Sequence, residues 1–199
     1  MKKYILDLKV KAVERLSEKH VLLKLTDVNP LPEMLPGQFV EVRVDSSSST
    51  FLRRPISINF VDRTLNELWL MVAMVGDGTR QLGHLQVGDT LNCVLPLGHG
   101  FSVQSDSVAL PLGHGFSVQS DSVALPLVNG FSVQSDSVAL PSQGSETISS
   151  QGKNNALQKM LLVGGGVGVA PLLYLGAELK AQGCEVTFLL GGRSAKDVL

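Results

Sequence analysis

Four glycines, Gly164, Gly165, Gly166 and Gly168, sit inside the run Leu-Leu-Val-Gly-Gly-Gly-Val-Gly-Val-Ala-Pro at residues 161–171. A strand ending in such a cluster can turn sharply and bring bare backbone up to a ligand, because no Cβ stands in the way. A helical pattern follows over 169–182. A helix opening here offers unpaired N–H groups and a positive dipole end to phosphate. Pro171 suits its first turn, where no N–H is needed. The apolar run 185–190 then completes a β-α-β unit able to hold a pyrophosphate. The usual dinucleotide pattern ends its second strand on an acidic residue that takes the ribose hydroxyls. Here Gly191-Gly192-Arg193-Ser194 stands in that place. Taken alone, the segment also reads as a tight strand-to-helix turn without a ligand.

Three more segments carry possible chemistry. Arg53-Arg54-Pro55-Ile56-Ser57-Ile58 reads as an extended strand with Arg54 and Ile56 on one face, Pro55 and Ser57 on the other. An arginine fork suits a diphosphate, and a serine hydroxyl can reach a ring nitrogen of an aromatic heterocycle. Gly76-Asp77-Gly78-Thr79 opens a second helix and is again an anion cradle. Pro96-Leu97-Gly98-His99-Gly100-Phe101 closes the last strand of the N-terminal half. The plain alternatives are a solvated arginine pair and an ordinary glycine turn.

The elements that must position these groups fall into three parts. Residues 4–13, 21–26, 38–44, 54–59, 67–75 and 90–95 are rich in Val, Ile and Leu. Turn formers separate them: Asn29-Pro30, Pro36-Gly37, the serines at 46–49, and Gly88-Asp89. Short strands at this spacing predict an antiparallel barrel or sandwich, with a short helix over 79–85. Residues 156–199 hold only the β-α-β unit, whereas doubly wound sheets need more strands, so truncation is expected. Between the two lies a fifteen-residue unit, Leu-Pro-Leu-Gly-His-Gly-Phe-Ser-Val-Gln-Ser-Asp-Ser-Val-Ala. It begins at Leu95, recurs identically at Leu110, and recurs at Leu125 with Val128-Asn129 replacing Gly-His. Each copy has one large apolar side chain (Phe101, Phe116, Phe131) among serines, so stacking buries little. At most one copy is expected to serve the fold, leaving about thirty surplus, mobile residues. The domain reading is therefore 1–101, an insert and linker over 102–155, and 156–199.

Composition excludes several classes. Hydrophobic residues make up 44% and charged residues 18%, enough for a buried core. A net charge of −1 without a basic stripe argues against nucleic acid. Asp7, Lys9 and Lys11 interrupt any signal-peptide core after Met1-Lys2-Lys3. The longest apolar stretch, 161–175, contains four glycines and a proline and falls short of a bilayer span. Cys93 and Cys184 have no metal or redox spacing, which suits reduced thiols in the cytoplasm.

In this order the segments resemble the ferredoxin reductase-like flavoproteins. Within that superfamily the chain is most similar to the electron-transfer subunits of NAD-dependent (type B) dihydroorotate dehydrogenases. The resemblance rests on Pro36-Gly37-Gln38-Phe39, residues 52–58, 76–80, Gly88-Asp89, 96–101 and 164–171, and covers 1–101 and 157–199. It implies a fold of β + α/β type: an antiparallel Greek-key FAD-binding barrel, then an incomplete Rossmann-like nicotinamide-binding domain. Arg54, Pro55, Ile56 and Ser57 would line FAD, with Arg54 on the diphosphate and Ser57 near the reactive ring nitrogen. Met71, Val72 and Ala73 would offer backbone to the adenosine side, and Gly78 and Thr79 would hold the pyrophosphate. Gly164, Gly165, Gly166 and Gly168 would take the phosphates of NAD, with Arg193 and Ser194 near its adenosine ribose. Arg193 could equally meet a 2′-phosphate, so NADP stays open.

The implied reaction is hydride exchange between FAD and NAD, in pyrimidine biosynthesis, with an FMN-containing catalytic subunit as partner in a heterotetramer. No side chain need act as acid or base. His99 and His114, borne on repeat loops, read as solvated. The family's [2Fe–2S] cluster needs four thiolates, and this chain has two cysteines. Two alternatives stand beside this reading: a related subunit of sulfhydrogenase or ferredoxin–NADP reductase type, and an inactive flavin-binding remnant.

Overall fold

Alternation of apolar and polar side chains builds the first unit. In the computed structural model, which describes residues 2–45, 50–101, 116–120, 131–135, 159–192 and 194, strand β1 spans Tyr4–Arg15. Its Leu8 and Val10 are buried while Lys9 and Lys11 point out. Five further strands follow: β2 (His20–Thr26), β3 (Phe39–Val42), β4 (Arg54–Asp62), β5 (Glu67–Ala73) and β6 (Thr90–Leu97). They close into a barrel of order β1-β2-β5-β4-β3-β6, every ladder antiparallel. Closure removes exposed edges. Inward residues of β2 and β5 (Val21, Leu23, Leu25; Leu68, Leu70, Val72) fill the middle with Ile58 and Leu95. The expected strands are all present, within a few residues at their ends. The short helix α1 is Asp77–Leu82 rather than 79–85, because Thr79 sits in its first turn and caps Gly76.

Two residues break the alternation. Leu22 and Met71 share the outer face of the barrel, yet are only 8% and 5% exposed. They pack with Ala170 and Val169 of the second unit, which therefore docks on this face.

The second unit has β9 (Lys159–Gly165) parallel to β10 (Glu185–Gly191), with helix α2 (Leu172–Ala181) between them. The expected helix over 169–182 is shorter at its start. A 3-10 turn, Gly166–Val169, intervenes, and Pro171 is the cap preceding α2 rather than part of its first turn. Gly166 has φ of +55°, a conformation that diverts the chain before a regular helix can begin.

The second and third repeat units contribute backbone to this sheet. Phe116–Ser120 (β7) and Phe131–Ser135 (β8) pair in parallel and in register, and β8 runs antiparallel to β9. The sheet order is β10-β9-β8-β7. One copy alone was expected to serve the fold; these two pentapeptides are strands as well, because the open edge of β9 accepts an alternating segment. The rest of 102–158, including His114 and the polar run 142–155, lies outside the described residues.

The first unit copy bridges the two cores. The Phe101 N–H donates to the Pro36 carbonyl at 2.8 Å, and its ring covers Gly37. The same ring packs against the cluster of Met160, Leu162 and Leu172. Among the described residues no helix is long and apolar enough to cross a membrane.

Candidate functional site

The barrel opens where one ladder stops. Strands β4 and β5 pair from Ile58 opposite Leu70 to Asp62 opposite Glu67, with a register shift between. Beyond that, β4 continues back to Arg54 along β3, and β5 continues to Ala73 along β2. The strand ends 54–57 and 71–73 therefore pair with different neighbours and part from one another. Pro55 is exposed and Ser57 half-buried, while Ile56 is buried in the barrel core. Residues 54–57 thus lie on the end of β4 and Met71, Val72 and Ala73 on the end of β5, beyond the ladder that joins the two strands. The side chains of Met71 and Val72 are buried.

The two adjacent arginines have separate tasks. Arg53 donates to the carbonyls of Glu41 and Asn92 and to the Asn92 side chain, tying β3 to β6. Arg54 turns toward α1. Its Nε is buried and has no hydrogen-bond partner among the described residues. A buried donor left unpaired is costly, about 1–3 kcal/mol, so a native protein provides an acceptor for it. Arg54 Nε lies 3.1 Å from where a Cβ on Gly78 would stand, so the guanidinium rests over the first turn of α1. Thr79 Oγ1 accepts from the Gly76 N–H and donates to the Gly76 carbonyl, both at 3.0 Å. Thr79 therefore braces the turn, and a Cβ at Gly76 would meet nothing within 4 Å. This cradle joins an unpaired arginine to a helix start and suits a diphosphate. The nearby Asp77 carboxylate is held by Arg80 at 2.9 Å.

The second glycine cluster lies at the carboxyl ends of the parallel strands, where open α/β sheets bind ligands. Gly164 pairs with Leu190 and Gly165 with Gly191. Gly166 and Gly168 form the 3-10 turn, and a Cβ at Gly166 would enter open space. Ser194 is described, whereas Arg193 lies outside the described residues.

Sequence reasoning missed the residues that connect these places. Asn59, 7% exposed, donates from Nδ2 to the Ala170 carbonyl at 2.7 Å. The Tyr174 hydroxyl donates to the Met34 carbonyl at 2.8 Å, its ring edge-on to Phe60 at 5.7 Å. Burial foremost raises the Tyr174 pKa above the ordinary tyrosine range, keeping that hydroxyl a donor. Gln38 is fully buried, accepting from the Leu35 N–H at 2.7 Å and donating to the Gly98 carbonyl at 3.2 Å. Gln38 lies within Pro36-Gly37-Gln38-Phe39, on which the resemblance rests, but its bracing role was not read from that motif. Nothing local marks Asn59 or Tyr174.

Among the described residues no group of three or more His, Cys, Asp or Glu could hold a metal. Burial pushes the Cys93 thiol up to about 12, a protonated core residue rather than a ligand.

No family model matches the chain. The dihydroorotate dehydrogenase B (NAD(+)) electron transfer subunit of Listeria monocytogenes serotype 4a is 32% identical over 165 residues, 83% of this chain and 46% of that one. The subunit of the same name from Desulforamulus reducens is 29% identical over 195 residues, 98% of this chain and 55% of that one. The chain thus spans about half the length of the curated relatives it matches. Among solved structures, phthalate dioxygenase reductase, described as a modular structure for electron transfer from pyridine nucleotides to [2Fe–2S], superposes with a TM-score of 0.59. Identity is 20%, over 97% of this chain and 45% of that one, which shows a shared fold.

Proposed function

We propose that this chain, a relative of the dihydroorotate dehydrogenase B electron transfer subunits by sequence and of ferredoxin reductase-type proteins by fold, carries FAD on its barrel and exchanges electrons with NAD. The unpaired buried Nε of Arg54 is the observation that supports this most. It lies beside the start of α1, at the end of β4 beyond its ladder with β5. A diphosphate there would give that N–H an acceptor. Arg54 would neutralise its charge, and Gly78 and Thr79 would shape the turn beneath it. Ser57 would offer its hydroxyl to a flavin ring nitrogen. The backbone of Met71, Val72 and Ala73 would take the adenosine side.

FAD, when bound, supplies hydride exchange with a nicotinamide and single-electron exchange with a redox partner. The chain's own part is position and electrostatics. Gly164, Gly165, Gly166 and Gly168 would admit the NAD phosphates to bare backbone, and Ser194 and Arg193 would approach the adenosine ribose. Two cysteines do not fit a [2Fe–2S] cluster, which needs four thiolates, so no step is assigned to one on these residues. The partner in this reading is an FMN-containing dihydroorotate dehydrogenase catalytic subunit, in a cytoplasmic heterotetramer.

Titrating FAD into the purified chain while following flavin fluorescence tests the proposal. Saturable quenching is expected, with affinity about tenfold weaker in Arg54→Ala. Absence of binding in the unaltered chain would overturn it. Adding the catalytic subunit with dihydroorotate and NAD then tests the partner, read as NADH absorbance.

A further inference from the structure

One side chain links the two candidate cofactor sites. Asn59 lies two residues beyond Ser57 on β4, and its acceptor Ala170 lies two residues beyond Gly168. Ser57 lies about 6.6 Å along the strand from Asn59, and the hydrogen bond joins Asn59 directly to Ala170. Its amide orientation is fixed, because a carbonyl can only accept. Asn59 and Ala170 are both nearly inaccessible, 7% and 2% exposed, which shields their bond from competing water.

The surroundings make this bond matter. An apolar hollow of about 420 Å³ opens beside it, lined by Trp69, Met71, Val169, Phe188 and Leu190 as well as Asn59. Val169, which ends the glycine turn, packs with Leu22 and Met71 at the wall of this hollow. A further polar tie between barrel and α2, from Tyr174 to Met34, lies one turn further along the chain. Tyr174 fixes the body of α2, and Asn59 fixes the turn that precedes it.

We infer that Asn59 is a positioning residue for nicotinamide: its amide holds the glycine turn at a set reach from the flavin strand. The inference rests on the FAD and NAD reading above. An asparagine supplies the donor without charge and within the space available. Aspartate at this position has the same shape but presents a second acceptor to the Ala170 carbonyl, which would push the turn away.

Amide hydrogen exchange of the apo chain, Asn59→Asp against the unaltered protein, gives a readout independent of any cofactor. Amides of residues 164–171 are expected to exchange several-fold faster in the variant, with barrel amides unchanged. With FAD loaded, FAD affinity should stay within about twofold, while the NADH charge-transfer absorbance should require about tenfold more nicotinamide. Tyr174→Phe serves as the structural control and should lower Tm without separating the two affinities. Asn59→Ser, too short to reach Ala170, replaces the aspartate variant if that does not fold. Unchanged exchange at 164–171, or an equal rise throughout the barrel, would overturn the inference. Failure of the unaltered chain to bind FAD would remove the cofactor reading alone, since the exchange comparison needs no flavin.

Discussion

The guanidinium of Arg54 rests on Gly78, its Nε only 3.1 Å from the position a Cβ there would occupy. The Thr50 methyl approaches the same point at 3.0 Å. A side chain at position 78 must therefore displace a flexible arginine, which can move, along with a threonine methyl. Helix propensity acts the other way, since alanine in a helix is favoured over glycine by up to about 1 kcal/mol. The two effects separate stability from binding. Gly78→Ala is expected to hold or raise Tm while weakening FAD several-fold, measured by thermal scanning and flavin fluorescence on the same sample. A variant that lost Tm and kept FAD affinity would contradict this account of the cradle.

Glu67 gives the barrel a dependence on pH. It is 4% exposed, 2.6 Å from Lys11 Nζ, and accepts from Trp69 Nε1 at 2.9 Å. Burial pushes its pKa up, but the hydrogen bonds from Lys11 and Trp69 and the charges of Lys11 and Lys24 outweigh that and leave it lowered. A carboxylate lowered in the folded state stabilises the fold above its unfolded pKa, and this stabilisation is lost as pH falls through the folded value. The unfolded reference is about 4.3, so the loss begins near there and continues below. Tm measured from pH 7 to 3 should fall more steeply for the unaltered chain than for Glu67→Gln. Parallel curves would show that Glu67 contributes no such linkage.

The barrel was legible in the sequence because period-two alternation is a local signal and its turn residues are chemically distinctive. Leu8, Lys9, Val10 and Lys11 state their own faces. A strand arginine and a Gly-Asp-Gly turn were each legible locally, whereas the approach of Arg54 to Gly78 is set by packing that no local pattern states. Leu22 and Met71 were not. Alternation places them on the outer face of the barrel, and only the second unit, distant in sequence, covers them. Asn59 and Tyr174 act through backbone carbonyls 111 and 140 positions away in sequence, and a backbone acceptor leaves no residue-type trace. The start of α2 was misread because propensity for helix begins at Val169, whereas the backbone at Gly166 takes a positive φ first.

Phe101 tests which repeat unit the fold depends on. Its ring lies about van der Waals contact from Gly37, where an added Cβ would stand 2.9 Å from Cγ, and packs on Met160 and Leu162 of the other core. Removing it should open a cavity between the two units. Phe101→Ala is expected to lower stability by about 2–3 kcal/mol, toward the low end for core aromatics because the residue is only half-buried. Urea denaturation followed by Trp69 fluorescence measures it. A change below about 0.5 kcal/mol, the size expected of an exposed substitution, would mean that the first unit copy does not bridge the cores.

The two thiols should differ in reactivity for a reason visible in their surroundings. Cys93 is fully buried on β6, and burial drives its pKa to about 12, against a weaker opposing pull from Arg53. At pH 8 almost none of it is thiolate, and the thiolate is the nucleophile. Cys184, between α2 and β10, is half-buried and its backbone N–H donates to the Leu179 carbonyl at 3.0 Å. Its side chain therefore sits at the margin of the second core, within reach of solvent. Iodoacetamide at pH 8, followed by mass spectrometry, should modify Cys184 in the native chain and reach Cys93 only in denaturant. Equal rates at both sites in the native state would mean that the barrel opens faster than the reagent reacts, and that the sealed core around Leu95 and Ile58 does not hold.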